Sequence, residues 1–511
     1  MKRSTKRLVF MSIFFIFVIM LAGCQAKSVP EKDQESITET ERTEEQSEEA
    51  VVEPILDSYY LVTNMYGDGQ KPWYLVLQYD TDLEPSSVSA DDYEIDDYDI
   101  KAVYTSPDAV IPEESATGNY VLIEFHTDYT TSNYGGGGSS GSESLRNASP
   151  GNNDTFGDGM KPGSGGFEAE EPDSVMPDSG KRGDGNRSDE NRSGGNRNGR
   201  MAMFSDASPS NQLTVTFRQI GNVSFANGAA LDGWEESFTT DYKDNVNLLV
   251  ENFSQYTFTL SDGTNLMYSL YLPDNYDESR EYPLVLFMPD ATGEGNDEYL
   301  ALTESLGGVI WTTDEWQNKH ETIVLVPQYV DSNSENPIYT MELVTDIVSQ
   351  YSVDTSREYL VGQSSGTIRS IKLLIDYPDE FAGAFLVAGQ TDSAYTDSIP
   401  KLSTQNIWML CSEGDARAYP GMTEITDGVN GAGTEVTIAQ WSAILANEEQ
   451  EKLAAEQASA GTSINWTIFD AGTVMRDDVN VSAATEHMNT WRVAYDLDTI
   501  REWLFEQTTQ K

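Results

Sequence analysis

The stretch Tyr359–Asp376, YLVGQSSGTIRSIKLLID, decides the fold of the C-terminal half of this 511-residue chain. A short apolar segment is followed by a turn between two glycines and then by apolar residues at helical spacing. This order predicts a strand, a sharp turn and an amphipathic helix, with Ser364 at the apex of the turn. Gly362 and Gly366 stand where such a turn needs close backbone approach. In this setting the G-x-S-x-G pattern predicts a serine nucleophile exposed at the carboxyl edge of a sheet.

The sequence around this turn alternates short apolar strands with amphipathic helices. Strands are predicted at Leu266–Leu272, Tyr282–Met288, Ile323–Val326, Tyr359–Val361, Phe385–Val387 and Ile407–Leu410, and helices at Tyr339–Tyr351, Thr367–Tyr377 and Leu497–Gln507. Unbroken apolar strands are typical of a parallel sheet that is buried on both faces. Residues 255–511 are therefore predicted to form an α/β domain, with a mostly parallel sheet and helices on both faces.

A serine nucleophile needs a neighbouring base, and the chain contains three histidines. In an α/β hydrolase the order along the chain is serine, acid, histidine. Only His487 follows Ser364, so His487 is the predicted base, in a loop just before the last helix. His126 and His320 precede the serine and are predicted to be surface or structural residues.

The acid is expected after a strand that ends at the same edge of the sheet. The strand Ile407–Cys411 leads into Ser-Glu-Gly-Asp, so Glu413 and Asp415 are both candidates to orient the imidazole. Asp415 is favoured because Gly414 provides a turn ahead of it. Asp470, which follows another apolar segment, is a third candidate.

The N-terminal half has the pattern of an all-β domain. Alternating strands are predicted at Trp73–Tyr79, Tyr120–Phe125 and Leu213–Phe217, and no helix is evident. Residues 55–250 are therefore predicted to form a β sandwich. Residues 135–200 interrupt it, because they hold 17 of the 40 glycines and show no strand or helix period. They are predicted to be a disordered insert.

The first residues have the pattern of a bacterial lipoprotein signal peptide. A basic start precedes the apolar run Leu8–Leu21, and small residues stand before Cys24. Residues 1–23 are predicted to be removed, and the lipidated Cys24 would anchor the protein to the outer face of the cell membrane. The acidic residues 24–54 are predicted to be a disordered tether. Only Cys411 would remain as a thiol, so no disulfide is expected within the chain.

The charge of the chain excludes some partners. Four of the 31 basic residues and none of the 85 acidic residues lie in the signal peptide, which leaves 27 against 85 and a net charge of −58. Nucleic acid is not an expected partner, because its phosphates must be met by basic side chains. Neutral esters are better candidate substrates than anionic polymers. The acidic run Asp91–Asp99 lacks the ligand spacing of a calcium loop, and no metal or cofactor is expected.

Several motifs resemble those of bacterial α/β-hydrolase esterases and depolymerase-like serine hydrolases. They are Leu272–Asp277, Tyr282–Phe287, Val326–Gln328, Gly362–Gly366, Tyr377–Gly383 and Trp503–Gln507. Some members of this family carry an immunoglobulin-like domain before the hydrolase domain, which agrees with the β region here. The resemblance implies a carboxylesterase-type activity, with Ser364, Asp415 and His487 at the triad positions.

One loop departs from this family. Where members usually have His-Gly-x-Gly, this chain has the segment Pro289–Gly295, PDATGEG. Two backbone N–H groups are expected to bind the oxyanion, one from Ser365 in the turn and one from Ala291 in this loop. A carboxylate of Asp290 directed inward would oppose that negative charge.

The sequence constrains the residues that contact the substrate, and the activity, less closely than the fold. Trp311, Gln328 and Trp491 are candidates to line the pocket, and Gln363 lies beside the nucleophile. Three functions are compatible with the sequence: a lipid-anchored serine esterase, a serine peptidase on the same fold, and a surface binding protein with a vestigial hydrolase domain. The order of serine, acid and histidine favours an enzyme, whereas Asp290 favours the third function.

Overall fold

The structure, a computed structural model, describes residues 54–67, 69–126, 212–304, 306–330, 336–475 and 481–509. The predicted signal peptide, the lipidation site at Cys24, the tether up to residue 53 and the insert at 135–200 lie outside these residues.

The N-terminal described region has the predicted all-β fold. Its strands are β1 (Leu56–Tyr66), β2 (Gly69–Leu83), β3 (Tyr93–Ile95), β4 (Ile100–Ser106), β5 (Gly118–Phe125), β6 (Thr216–Gln219), β7 (Val223–Ser224), β8 (Ala230–Leu231), β9 (Phe238–Thr239) and β10 (Val246–Asn247). The main sheet has the order β10-β1-β2-β5-β4, and smaller sheets are formed by β3-β6-β9 and by β7-β8. Since β1 pairs with β10 and β3 with β6, strands from both sides of the insert form one domain.

Successive side chains of β2 point to opposite faces of the main sheet, and this shows how the domain buries its core. Leu75 and Leu77 are fully buried in a cluster that includes Phe217 of β6. Val76, between them, belongs to a separate cluster on the opposite face of the sheet. The main sheet is therefore covered on both faces.

The C-terminal region is built on a nine-stranded sheet. Its strands are β11 (Ser254–Thr259), β12 (Asn265–Tyr271), β13 (Tyr282–Met288), β14 (Ile323–Gln328), β15 (Val353–Gln363), β16 (Gly383–Val387), β17 (Ile407–Ser412), β18 (Val436–Trp441) and β19 (Ile464–Phe469). They follow the order β11-β12-β14-β13-β15-β16-β17-β19-β18. The pairs β11–β12 and β12–β14 are antiparallel, and the remaining pairs are parallel.

Helices connect these strands. They are α1 (Leu300–Thr303), α2 (Leu306–Val309), α3 (Asp314–Lys319), α4 (Pro337–Gln350), α5 (Ser365–Asp376), α6 (Ala418–Gly431), α7 (Asn447–Ala458), α8 (Ala483–Ala494) and α9 (Asp498–Phe505). The central strands β13 and β14 are buried along their whole length. The predicted mostly parallel α/β sheet is confirmed, and its carboxyl edge carries the loops after β13, β15, β17 and β19.

The turn between β1 and β2 packs against the α/β domain. A Cβ added to Gly67 would lie 2.1 Å from the Cα of Arg492 in α8. One added to Gly69, whose φ is +100°, would lie 3.1 Å from the backbone oxygen of Glu304. Met65 of β1 belongs to the core cluster of the α/β domain. The β domain therefore contacts the α8 helix backbone without an intervening side chain.

Gly67→Ala should lower the free energy of unfolding by about 1–3 kcal/mol, the usual cost of overpacking, because the new methyl group would meet the backbone of α8. Gly431→Ala is the matched control, since a Cβ there meets nothing within 4 Å. That change should be neutral or stabilising by up to about 1 kcal/mol. Urea denaturation followed by circular dichroism measures both, and equal midpoints for Gly67→Ala and the wild type would contradict the tight contact.

Candidate active site

Ser364 lies at the predicted turn between β15 and α5. Its φ of 52° and ψ of −117° form a conformation that is costly for any residue with a Cβ. The flanking glycines are required by crowding. A Cβ on Gly366 would lie 1.9 Å from the carbonyl oxygen of Met288, and one on Gly362 would lie 2.8 Å from the carbonyl oxygen of Gly366. The start of α5 therefore rests directly on the end of β13.

Three side chains predicted to act together form one hydrogen-bonded chain. Ser364 Oγ lies 2.8 Å from His487 Nε2, and His487 Nδ1 lies 2.5 Å from Asp415 Oδ2. The other carboxylate oxygen of Asp415 accepts the N–H groups of Arg417 and Ala418 at 2.9 and 3.0 Å. This arrangement leaves Nε2 of a neutral His487 available to accept the serine proton.

The environment keeps the Asp415 carboxylate charged. Its side chain is almost completely buried, and burial by itself would raise its pKa. The hydrogen bond from His487, its charge when protonated, and the two backbone N–H groups outweigh burial and lower the pKa below its ordinary value. Asp415 is therefore ionised at neutral pH and can stabilise an imidazolium.

The other candidate acids have different partners. Gln440 donates its side-chain N–H to Glu413 Oε2 at 3.3 Å and to Asp470 Oδ1 at 2.9 Å. Both carboxylates therefore lie on the β18 side of the sheet. Of the three acids weighed from the sequence, the structure brings Asp415 to His487.

The prediction that His487 lies in a loop is wrong. It lies in α8, which begins before it because Ser482 Oγ accepts the N–H of Thr485 and caps the helix. Serine is a preferred N-cap residue, so Ser482 is a helix start signal that the sequence already contained. Trp491, one turn further along α8, contacts the imidazole edge-on with ring centroids 5.2 Å apart. Trp491 is nearly buried, so it supports the imidazole ring from within the helix.

Glu486 is a residue of this site that the sequence did not reveal. It directly precedes His487 in α8, and its side chain is buried. Its Oε2 accepts the hydroxyl of Ser412 at 2.7 Å, and its Oε1 accepts the N–H of Gly472 at 2.5 Å. Glu486 thus ties the histidine helix to the end of β17, from which the loop with Asp415 departs. A glutamate in the first turn of a helix is normally read as solvent-exposed, so no local signal marks this role.

The two predicted oxyanion donors lie on adjoining segments. Ser365 is the first residue of α5, so its N–H has no intrahelical acceptor. Ala291 is exposed in the loop after β13, two residues beyond Pro289, whose carbonyl oxygen would be 2.7 Å from a Cβ on Gly366. The structure therefore places the loop with Ala291 against the start of α5.

Asp290 directs its carboxylate into the protein, toward the end of β15. Its side chain is 4% exposed. Oδ1 accepts the N–H and the hydroxyl of Thr292 at 2.7 and 2.5 Å, and Oδ2 accepts Gln363 Nε2 at 2.7 Å. The carboxylate is thus directed inward, the orientation considered in the sequence analysis, and its charge is shared among these donors.

Three predicted substrate contacts lie in the interior instead. Trp311 is fully buried, donates its indole N–H to the Gly307 carbonyl at 2.9 Å and stacks on Phe505. Gln363 and Gln328 are each 1% exposed. Gln328 and Gln363 are the last residues of β14 and β15, and Trp311 lies in a short helical turn in the core, so these side chains offer no surface to a substrate.

Other chemistry near the site is limited. Burial raises the pKa of the Cys411 thiol to about 12, so it is not a competing nucleophile. Within the described ranges, no cluster of three or more histidine, cysteine or acidic side chains is arranged to hold a metal ion. In the same part of the chain, no helix combines the length and apolar character needed to span a membrane.

Known proteins resemble both domains. Residues 58–154 match a family described as the esterase Ig-like N-terminal domain. Acetylxylan esterase A from Aspergillus awamori is 22% identical over 161 residues, 31% of this chain and 52% of the fungal protein. Poly(3-hydroxyalkanoate) depolymerase C from Paucimonas lemoignei is 26% identical over 129 residues, 20% of this chain and 31% of that protein. The chain thus spans about half or less of the length of these curated relatives.

A solved structure described as a thermostable esterase aligns with 89% of this chain and 100% of its own length, with a TM-score of 0.56 and 19% identity. At this level of identity the likeness concerns the fold. Together with the match at residues 58–154, it confirms the predicted architecture of an immunoglobulin-like domain followed by an α/β-hydrolase fold.

Glu486→Leu should slow the reaction of Ser364 with a fluorophosphonate probe by about 10²-fold, the scale of a misplaced reacting group, because α8 would lose its tie to Ser412 and Gly472. Glu486→Gln should react faster than Glu486→Leu, since its amide oxygen can still accept the Gly472 N–H. The control Glu424→Leu alters an exposed helical glutamate. Equal labelling rates for the wild type and a folded Glu486→Leu protein would show that the carboxylate does not position His487.

Proposed function

We propose that this protein is a serine hydrolase that cleaves carboxylic esters through an acyl-enzyme intermediate. The observation that carries the proposal is the hydrogen-bonded chain from Ser364 through His487 to Asp415, on a strained turn at the carboxyl edge of the sheet. Relatives named as esterases and a depolymerase support ester bonds as the target.

The geometry defines the role of each group. As Ser364 Oγ attacks the ester carbonyl carbon, His487 Nε2 takes the serine proton, and Asp415 stabilises the resulting imidazolium. The carbonyl oxygen becomes negatively charged and is bound by the N–H groups of Ser365 and Ala291. Each such donor is worth about 3–4 kcal/mol of transition-state stabilisation in comparable enzymes.

The intermediate then collapses in the direction of the acyl-enzyme. His487 gives its proton to the leaving alkoxide, the ester C–O bond breaks, and the acyl group stays on Ser364. A water molecule then attacks the acyl carbon while His487 Nε2 takes its proton. The acyl–serine C–O bond breaks, His487 returns the proton to Ser364 Oγ, and the carboxylic acid and the free serine are released.

The proposed substrates are neutral esters. A strongly acidic protein repels anionic substrates, and the formal charge of this chain is −54. Acylated neutral sugars and short aliphatic polyesters are the classes to test first, because two of the similar proteins are named for acetylxylan and for a polyhydroxyalkanoate.

We also propose that the enzyme lies at the outer face of the cell membrane and is attached through a lipid on Cys24. Its support is the basic start, the apolar run and the small residues before this cysteine.

Ser364→Ala should abolish both fluorophosphonate labelling and hydrolysis of p-nitrophenyl esters, with a nearly unchanged melting temperature. His487→Ala should lower turnover by roughly 10³-fold or more. Ser365→Ala is the matched control: it removes a buried hydroxyl that has no hydrogen-bond partner among the described residues and leaves the backbone N–H in place. It should retain most of the activity. Hydrolysis by Ser364→Ala, or faster cleavage of peptide amides than of esters by the wild type, would refute the proposed reaction.

Cys24→Ser should move the protein from the membrane fraction to the soluble fraction, because the acylated thiol is lost. Detergent phase partitioning of cell extracts measures the change, with Cys411→Ser as the control for loss of a thiol. Equal partitioning of Cys24→Ser and the wild type would exclude the lipid anchor.

A further inference from the structure

The Asp290 carboxylate is buried beside the proposed oxyanion loop and is held by four donors. Oδ1 accepts the N–H and hydroxyl of Thr292 and, at 3.3 Å, the N–H of Gly293; Oδ2 accepts the amide of Gln363. An ionised carboxylate can accept all four, since it has no proton of its own to place. Asp290 therefore fixes the conformation of the loop that contains Ala291. It also links this loop to Gln363, the residue just before Ser364.

Gln363 passes this connection on to the histidine helix. Its Nε2 donates to Asp290, and its Oε1 accepts the hydroxyl of Tyr495 at 3.0 Å. The reversed amide would place its oxygen against the carboxylate, so the chain runs in one direction, from Tyr495 through Gln363 to Asp290. Tyr495 is the residue that ends α8, the helix of His487.

The surroundings hold this chain in place. Tyr495 is fully buried, and its ring contacts Phe287 of β13 and Phe385 of β16 edge-on. Burial, together with the negative charge of Asp290, raises the pKa of Tyr495 well above its ordinary value, so the hydroxyl remains a donor. A second tie comes from α5, where Arg369 donates to the Pro289 carbonyl at 2.7 Å and pairs with Glu294.

We propose that Asp290, Gln363 and Tyr495 are positioning residues for the proposed ester hydrolysis. Their hydrogen-bonded chain connects the loop of Ala291, the turn of Ser364 and the helix of His487, which are the three parts that must meet in the transition state. Oxyanion donors act only within about 2.7–3.1 Å of the developing charge, so a loop free to shift would lose this contact. The inference rests on the proposed function and assigns a role to the Asp290 loop within it.

Exchanging the acid and the amide provides the test. Gln363→Glu places two carboxylates in contact, and the loop must move or one of them must take a proton. In the double variant Asp290→Asn/Gln363→Glu, the new asparagine can keep the loop donors on its oxygen and donate its N–H to the new glutamate. That glutamate still accepts the Tyr495 hydroxyl. The double variant has the same net charge as the wild type and reverses only the direction of one hydrogen bond.

The kinetic constants of p-nitrophenyl ester hydrolysis are measured for each variant. Gln363→Glu should lower kcat by about 10–100-fold with KM within about threefold, because the chain acts on the transition state. The kcat of the double variant should recover to within about fivefold of the wild-type kcat, since the effects of substitutions at contacting residues such as Asp290 and Gln363 are coupled. Should Gln363→Glu fail to fold, Tyr495→Phe removes only one donor and should lower kcat by about 3–10-fold.

Gln450→Glu is the matched control. It places a carboxylate against the carbonyl oxygens of Ala443 and Leu445, away from the chain. It should lower the melting temperature and leave kcat per folded molecule unchanged.

Three results would overturn the inference: wild-type kcat in Gln363→Glu, a double variant no better than Gln363→Glu, or a loss confined to KM. A wild type that neither hydrolyses esters nor reacts with a fluorophosphonate would instead refute the proposed function, and this inference with it.

Discussion

The site depends on the direct contact of two backbones, at Gly366 and Met288. No side chain fits between the first turn of α5 and the end of β13, because even a Cβ on Gly366 would meet a carbonyl oxygen at 1.9 Å. Ser364, whose backbone has the strained conformation, lies two residues before this contact. The contact also brings the helix N-terminus, with its unpaired N–H groups, beside the loop that follows β13. Ser364 and both proposed oxyanion donors can therefore lie close together because Gly366 has no Cβ.

Buried carboxylates hold the remaining parts together. Asp290, Asp415 and Glu486 are each at most 4% exposed, and the described contacts satisfy them mainly with backbone N–H groups, hydroxyls and an amide. This is a consistent solution for a chain with 85 acidic and 31 basic residues. Neutral donors stabilise a buried anion, and at Asp415, where burial alone would raise the pKa, they act together with His487 to lower it. The hydrogen bonds of Asp290 and Asp415 also fix the geometry of the loops in which these two residues lie.

Much of this arrangement could be predicted from the sequence, for physical reasons that differ between elements. The central strands are continuous apolar runs because both faces are buried, whereas β11 and β18 are edge strands with exposed positions and carry no such run. Ser364 and Asp415 could be proposed because each follows its own strand, and His487 because it is the one histidine in the sequence after Ser364. The contacts of Asp290 with Gln363 and of Glu486 with Ser412 could not, because these partners lie 73 and 74 residues away in the chain and depend on the folded sheet. Residue type alone makes Trp311 a candidate for the pocket, but a tryptophan side chain fits the core equally well, which is where Trp311 lies.

The parallel pairing of β1 with β10 has a consequence for the order of events during synthesis. Thr63 and Val246, which share a hydrogen bond across this pair, are 183 residues apart. The main sheet of the β domain cannot be completed until the chain has been made beyond residue 247. Contacts so distant in sequence slow folding, since a large loop must close before they form. Only Leu248–Phe253 then separate β10 from β11, the first strand of the next sheet. Pairing of β10 with β1 therefore also positions β11, the first strand of the second sheet. Completion of the first domain and the start of the second are thus linked during folding.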